Sequence, residues 1–203
     1  EGYIRSSLNS LGSNMVYIQK WPWAPPEGES EYPWWKYLNR PVPNIEETED
    51  LLRRSRNIEA AVYFFGFNRT VQFENSKAEN TEILATTHEL INTWNLEIER
   101  GRYFTESESN SGANVAVLGN EIATKLFDQV NPIGKTIKIQ GHKFIVIGIY
   151  VKKGQDMFGT SMDKRIHLPV VYAMNMVDVR NRDQGQTINV KAKPDADHDE
   201  FIA

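Results

Sequence analysis

Gly134-Lys135-Thr136 spells the end of a phosphate-binding loop, so phosphate chemistry is the first reaction the sequence invites. The complete loop, G-x-x-x-x-G-K-[ST], requires a glycine at position 129, and Gln129 stands there. Such a loop also leaves a strand and opens a helix, so that backbone N–H groups and the helix N-terminus face the phosphates. Here the order is reversed. Residues 121–128 (EIATKLFD) place Ile122, Ala123, Leu126 and Phe127 on one helical face, and residues 135–140 (KTIKIQ) alternate as a strand. Asn131-Pro132-Ile133-Gly134 is therefore a helix-to-strand turn, with Gly134 free to take positive φ.

The other reactive side chains fare no better. His88, His142, His167 and His198 form no HxH or HxxxH pair, whereas a zinc site needs three or four convergent ligands, and each reads as a surface histidine. Asp195, Asp197 and Asp199 copy the first ligands of a calcium loop. The sixth position holds Glu200 rather than glycine, so the segment reads as a solvated helix start. Glu106 and Glu108 could in principle work as acid and base, but Glu108, three residues after Thr105, is better explained as capping a turn or helix. No serine stands in G-x-S-x-G. The absence of cysteine excludes thiol catalysis, thiolate metal sites and a disulfide framework. No catalytic residue, metal ligand or cofactor site emerges. Asn68-Arg69-Thr70 is a glycosylation triplet that matters only in a host with that machinery.

The strongest binding signal is aromatic. Residues 21–43 (WPWAPPEGESEYPWWKYLNRPVP) hold six of the nine prolines and four of the five tryptophans. Proline at this density forbids regular helix and sheet interiors, which predicts a long loop held by aromatic packing. Trp21, Trp23, Trp34 and Trp35, with Tyr32 and Tyr37, could stack on sugars, touch a partner protein or lie at a membrane interface. The alternative is that they pack down on their own domain. Met157-Phe158, apolar at the tip of the polar loop KGQDMFGTSMDK, is a second candidate contact or a core element.

The 203 residues suffice for one domain or two small ones, and 40% hydrophobic with 25% charged residues is ordinary for a globular protein. A net charge of −4 gives no support for nucleic-acid binding. No apolar run approaches the roughly 18 residues of a membrane span, and no signal-peptide pattern opens the chain. Residues 14–20, 60–67 (AAVYFFGF), 69–75, 81–87, 114–119, 135–140, 143–151, 165–171 and 187–192 read as strands. Those at 60–67 and 143–151 are apolar on both faces and hence central. Residues 75–80 read as a turn, Gly141-His142 as a two-residue hairpin turn, and Pro169 as the mark of an edge or bulge. Asn44 with Glu47, and Thr86 with Glu89, form capping-box patterns, the first opening a helix with a thin apolar face that suits the outside of a sheet. Tyr172–Val177 reads as a short helix.

At the two ends, Ile4, Leu8 and Leu11 have helical spacing with no cap before them, and Pro194-Asp195 suits a helix start. The expectation is a domain cut from between two longer helices.

Several stretches together resemble one family. "LEIERGRYFTESE", "ANVAVLGNEIATKLFDQVNPIGKTIKIQGHKFIVIGI" and "KRIHLPVVYA" stand in the order seen in the periplasmic core domain of MacB-like (MacB/FtsX-like) ABC transporter permeases. Gly101-Arg102-Tyr103-Phe104 resembles the family's GR-x-F. Val117-Leu118-Gly119, then Leu126-Phe127 and Pro132-Ile133-Gly134-Lys135, resemble its strand–helix–PIGK block. Ile147-Gly148-Ile149 and His167-Leu168-Pro169 match the strands that follow. The resemblance is specific through 96–171 and weak in 21–43.

It implies an α+β fold of two packed lobes with mixed sheets: residues 1–13 ending a stalk helix, a Porter-like lobe from 14–80 and 185–203, and an inserted Sabre-like lobe from 81–184. It further implies a non-catalytic domain in the periplasm, tied to the bacterial inner membrane by flanking helices. Its partners would be a second permease copy, dimerising through membrane helices, a cytoplasmic ATPase domain or chain, and a periplasmic adaptor or lipoprotein. Movement started by ATP would be carried outward to cargo. A binding module for peptide, lipoprotein or sugar, working through the tryptophan loop, is the alternative. An enzyme is the reading with least in its favour, since no nucleophile–base pair or ligand set is present.

Overall fold

The computed structural model describes residues 14–22, 33–154, 161–179, 184–194 and 196. The end segments 1–13 and 197–203, where the sequence suggests helices, lie outside the described residues, as do Asp195, Trp23 and the Met157-Phe158 pair. The chain forms two units, one from residues 1–63 and 180–203, the other from residues 64–179. The α+β class with mixed sheets is as expected from the sequence.

In the first unit, strand β1 (Met15–Gln19) pairs antiparallel with β9 (Thr187–Ala192), from Met15 opposite Lys191 to Gln19 opposite Thr187. β9 in turn neighbours β2 (Ile58–Phe73), whose residues 58–63 belong to this unit. Helix α1 (Ile45–Arg54) opens with the expected capping box. Asn44 Oδ1 accepts from the Glu47 N–H at 3.1 Å, and the Asn44 N–H donates to the Glu47 carboxylate at 3.1 Å. Of α1 only Thr48 is fully buried, and Leu52 is exposed, in keeping with its thin apolar stripe. Ala61, Val62, Tyr63, Ile188, Val190 and Ala192 are buried.

The second unit is built on a ring of strands. Residues 64–73 of β2 turn at Glu74-Asn75 into β3 (Ser76–Thr86), antiparallel. β3 pairs parallel with β8 (Arg165–Pro169), β8 antiparallel with β5 (Val115–Leu118), and β5 parallel with β7 (His142–Tyr150). β7 pairs antiparallel with β6 (Thr136–Ile139), and β6 returns to β2 through Val71 opposite Ile139 and Gln72 opposite Lys138. Six strands thus close on themselves, a device that removes free edges. Val71, Phe65, Ile83, Ile137, Ile139, Phe144, Val146 and Ile166 are wholly buried, whereas the alternate residues of β6 are exposed. Strand β4 (Ile98–Gly101) adds to β7. Helix α2 is Leu90–Thr93 and α3 is Glu106–Asn110. Helix α4 (Asn120–Phe127) buries the four residues expected of it, with the Phe127 ring 4.1 Å from that of Phe73.

Several local expectations are corrected. Residues 75–80 are not a turn: β3 begins at Ser76, because Ala78 points inward between exposed Lys77 and Glu79. The segments at 60–67 and 69–75 are one long strand with a bulge between Arg69 and Val71. Thr86 and Glu89 form no capping box. Thr86 ends β3 and its hydroxyl donates to the Thr87 carbonyl at 3.1 Å, while Glu89 contacts His88 at 2.9 Å. The β6–β7 turn is Gln140-Gly141, both at positive φ (51° and 85°), one residue earlier than expected. Pro169 does not mark an edge. β8 lies between β3 and β5, and Pro169 is its last residue, opposite Thr86, where a missing donor costs little before α5 (Val170–Ala173) starts. That helix begins earlier than the expected 172–177. His167 is fully buried, not superficial.

Candidate functional site

The residues of the GR-x-F stretch meet those of the Ile147-Gly148-Ile149 stretch across the β4–β7 pair, with Gly101 opposite Gly148. A Cβ on Gly101 (φ +79°) would stand 2.1 Å from the Ile147 carbonyl oxygen, and one on Gly148 would stand 2.2 Å from that of Arg102. Neither contact is possible, so the two glycines allow the backbones to close and the Arg102 N–H to donate to Ile147 O at 2.9 Å. Gly119 works similarly: a Cβ there would be 2.3 Å from Met162 O, while its N–H donates to Arg165 O at 2.7 Å.

This junction aims Arg102 at Glu108. The guanidinium makes two hydrogen bonds to the carboxylate, at 2.6 and 2.8 Å. Glu108 also accepts from the Thr105 N–H at 2.9 Å, and the Glu108 N–H donates to Thr105 Oγ1 at 3.2 Å, a complete capping box for α3. The hydrogen bonds from Arg102, and lesser ones from Thr105, hold the Glu108 carboxyl down to about 2. A carboxylate so engaged is no general acid at neutral pH; Glu108 caps α3 and pairs with Arg102.

Behind the junction, Tyr103 stacks on Phe104 (4.0 Å between centroids), within a buried cluster that includes Val115, Val117 and Tyr150. The Tyr150 hydroxyl lies 2.6 Å from His167 Nδ1. Burial lowers the imidazole to about 3, with the Arg165 charge adding, and raises the Tyr150 hydroxyl well above its usual range. Both groups are therefore neutral, sharing one hydrogen bond between the hydroxyl and Nδ1. Both side chains are nearly inaccessible, so this tyrosine–histidine pair meets no substrate. Sequence spacing did not single out His167; the only signal was its place between the apolar Ile166 and Leu168-Pro169 of the strand. Asp163, also fully buried, was likewise missed. Its carboxylate accepts from the Lys153 and Gly154 N–H groups at 3.1 and 2.8 Å.

The candidate tryptophans divide. Trp21 is half-buried edge-on against Tyr37 (6.5 Å), whose ring also carries the Arg40 guanidinium at 4.5 Å. Lys20, itself buried, donates to Leu38 O at 2.5 Å. Trp34 and Trp35 lie on a single 3-10 turn (Trp34–Lys36), edge to face at 5.9 Å, each 55% exposed, with Leu38 exposed nearby in sequence. Lys20, Trp21, Tyr37 and Arg40 thus anchor the segment that displays the Trp34–Trp35 pair. Trp23, Met157 and Phe158 lie outside the described residues. Among the described residues no group of His, Asp and Glu side chains is arranged to hold a metal ion, and no helix is long and apolar enough to cross a membrane. A groove of about 480 Å³ beside α4 is lined by Glu79 and Glu121 as well as Lys125, Lys152 and Lys164, with no nucleophile–base pair.

A family model described as the MacB-like periplasmic core domain matches residues 1–203. The chain is 37% identical over 92 residues to the macrolide export ATP-binding/permease protein MacB of Nitrobacter winogradskyi, covering 45% of this chain and 14% of that protein. It is 39% identical over 75 residues to the pyoverdine export ATP-binding/permease protein PvdT of Pseudomonas aeruginosa, covering 37% and 11%. The matched stretch is thus a small part of those relatives. The fold resembles the crystal structure of the periplasmic region of MacB from Actinobacillus actinomycetemcomitans, with TM-score 0.74, 16% identity, and coverage of 98% of this chain and 84% of that one. It also resembles the extracellular domain of the ABC-type transporter YknZ from Gram-positive bacteria, with TM-score 0.59, 19% identity, and coverage of 77% and 75%.

Proposed function

The chain belongs to the family of MacB-like periplasmic core domains, and from that premise we propose that it is the non-catalytic periplasmic part of an ABC transporter permease in the bacterial inner membrane. In this reading it carries conformational change from a cytoplasmic ATPase to a periplasmic cargo, adaptor or lipoprotein, paired with a second permease copy through membrane helices. The single observation that carries it is the family match along the whole chain; the names of the relatives, each an export ATP-binding/permease protein, support it. The packing of the second unit suits a stiff body: its strands close in a ring, and Gly101, Gly119 and Gly148 are spent on close backbone approach. The lobe assignment, 14–80 with 185–203 against 81–184, is part of the same proposal.

The coding sequence on either side tests it first. About 20 apolar residues before residue 1, and three hydrophobic spans after residue 203, are expected. In the full-length protein, spin labels on Leu52→Cys in two copies should change separation when ATP is added. An unchanged separation with intact ATP hydrolysis would overturn the lever.

The exposed Trp34–Trp35 pair supports a second role, in which the same domain binds a peptide, lipoprotein or sugar. Trp34→Ala with Trp35→Ala should then abolish micromolar binding while leaving the fold intact.

A further inference from the structure

Lys77, Gln72, Lys138 and Lys143 stand in direct register across β3, β2, β6 and β7. Residues directly opposite in neighbouring strands share a face. The three lysines are exposed, and none has an acidic partner among the described residues. Lys138 and Lys143 are immediate antiparallel partners, a like-charge arrangement that disfavours the sheet. Elsewhere in the same unit the rule is obeyed: Glu82 lies opposite Arg165 and pairs with it at 2.7 Å. A chain with net charge −4 thus keeps an uncompensated basic row on the outer surface of its strand ring. The nearest acids along these strands, Glu74 and Glu79, are two residues from Gln72 and Lys77.

Beside the row is a groove of about 340 Å³ lined by Arg69, Thr70, Gln72, Lys138, Gln140 and Gly141, with no carboxylate. Arg69 is held in place there. Its Nε donates to Gln140 Oε1 at 2.8 Å, its Nη1 to Asn68 O at 2.7 Å, and its guanidinium lies 5.3 Å over the Phe67 ring. Its Nη2 makes no hydrogen bond among the described residues, and the amides of Gln72 and Gln140 offer further donors.

We propose that this face docks an acidic, extended segment of a polypeptide partner, with one carboxylate in the Arg69–Lys138 groove and others along Lys143 and Lys77. Lys138 and Lys143 lie one strand spacing apart, about 4.8 Å, and Lys77 lies two spacings from Lys138, about 10 Å; same-face side chains of an extended peptide, about 6.8 Å apart, can reach both gaps. Ile145 is the exposed large apolar residue on these strands; among the described residues no tryptophan or cluster of apolar side chains is there to enter a lipid surface, which favours a polypeptide. The proposal stands independently of the transport role.

The test uses the 203-residue chain and a fluorescein-labelled decapeptide of alternating Glu and Asp, read by fluorescence anisotropy at low salt. Binding should weaken about tenfold or more in Lys138→Glu/Lys143→Glu. It should change less than about threefold in the control Lys152→Glu/Lys164→Glu, which alters the groove beside α4. Lys138→Gln alone should weaken binding to an intermediate degree without lowering the melting temperature, which checks that the loss is not unfolding. Equal weakening in the two double variants, no binding by the native chain, or binding of phosphatidylglycerol vesicles but not of the peptide would each overturn the proposal.

Discussion

Glu108 holds three groups at once: the Arg102 guanidinium, the Thr105 N–H and the Thr105 hydroxyl. Glu108→Gln keeps the capping hydrogen bond to the Thr105 N–H but loses the charge paired with half-exposed Arg102, and should cost about 0.5–1 kcal/mol in urea unfolding. The carboxyl is held near 2 against an ordinary 4.5. Its contribution is therefore present above pH 4.5 and lost as pH falls toward 2. His167 works in a higher window. Its imidazole is depressed to about 3 from 6.5, so between those values the unfolded chain binds the extra proton and the folded one does not. Stability should fall as pH drops below 6.5, by at most about 1.4 kcal/mol per pH unit from this group. His167→Gln should flatten that slope in denaturant titrations between pH 4 and 6.5.

At the level of elements, the β4–β7 pair is the place where a methyl group does most harm. Gly148→Ala sets a Cβ against Arg102 O and should destabilise by about 3 kcal/mol, with loss of amide-exchange protection at Arg102 as the local sign. Gly134→Ala, where nothing lies within 4 Å, carries only the strain of φ +82° and should cost about 1 kcal/mol. What the sequence revealed follows the same division. Helix α1 was legible from its cap, helix α4 from its periodicity, and strands β1, β5 and β9 as short apolar-rich runs between polar or glycine-bearing turns. The start of β3 was not, since Lys77, Glu79 and Asn80 read as turn residues until β2 is there to pair with them. Pro169 misled because the strands on both sides of β8 come from distant parts of the chain. The closure of the ring through Val71–Ile139 and Gln72–Lys138 leaves no mark on either strand alone. As for the site, the Trp34–Trp35 pair could be named from composition, but only the structure distinguishes it from Trp21, which packs on Tyr37. The lysine row was invisible, because Lys77, Lys138 and Lys143 come from three strands.

At the scale of the molecule, membership in the periplasmic core domain family leads to a plain biochemical expectation: the purified 203-residue chain should show no ATP hydrolysis above background. Turnover in a phosphate-release assay would overturn the non-catalytic reading. The second unit uses one continuous stretch, residues 64–179, whereas the first takes residues 1–63 and 180–203, and its strand β1 waits for β9 to supply Met15 with Lys191. A nascent chain emerging head first therefore completes the later-encoded body before the earlier-encoded one. Truncation ahead of residue 187 should leave Tyr17 and its neighbours without a strand to pair with, and open to proteases, while the middle of the polypeptide stays resistant.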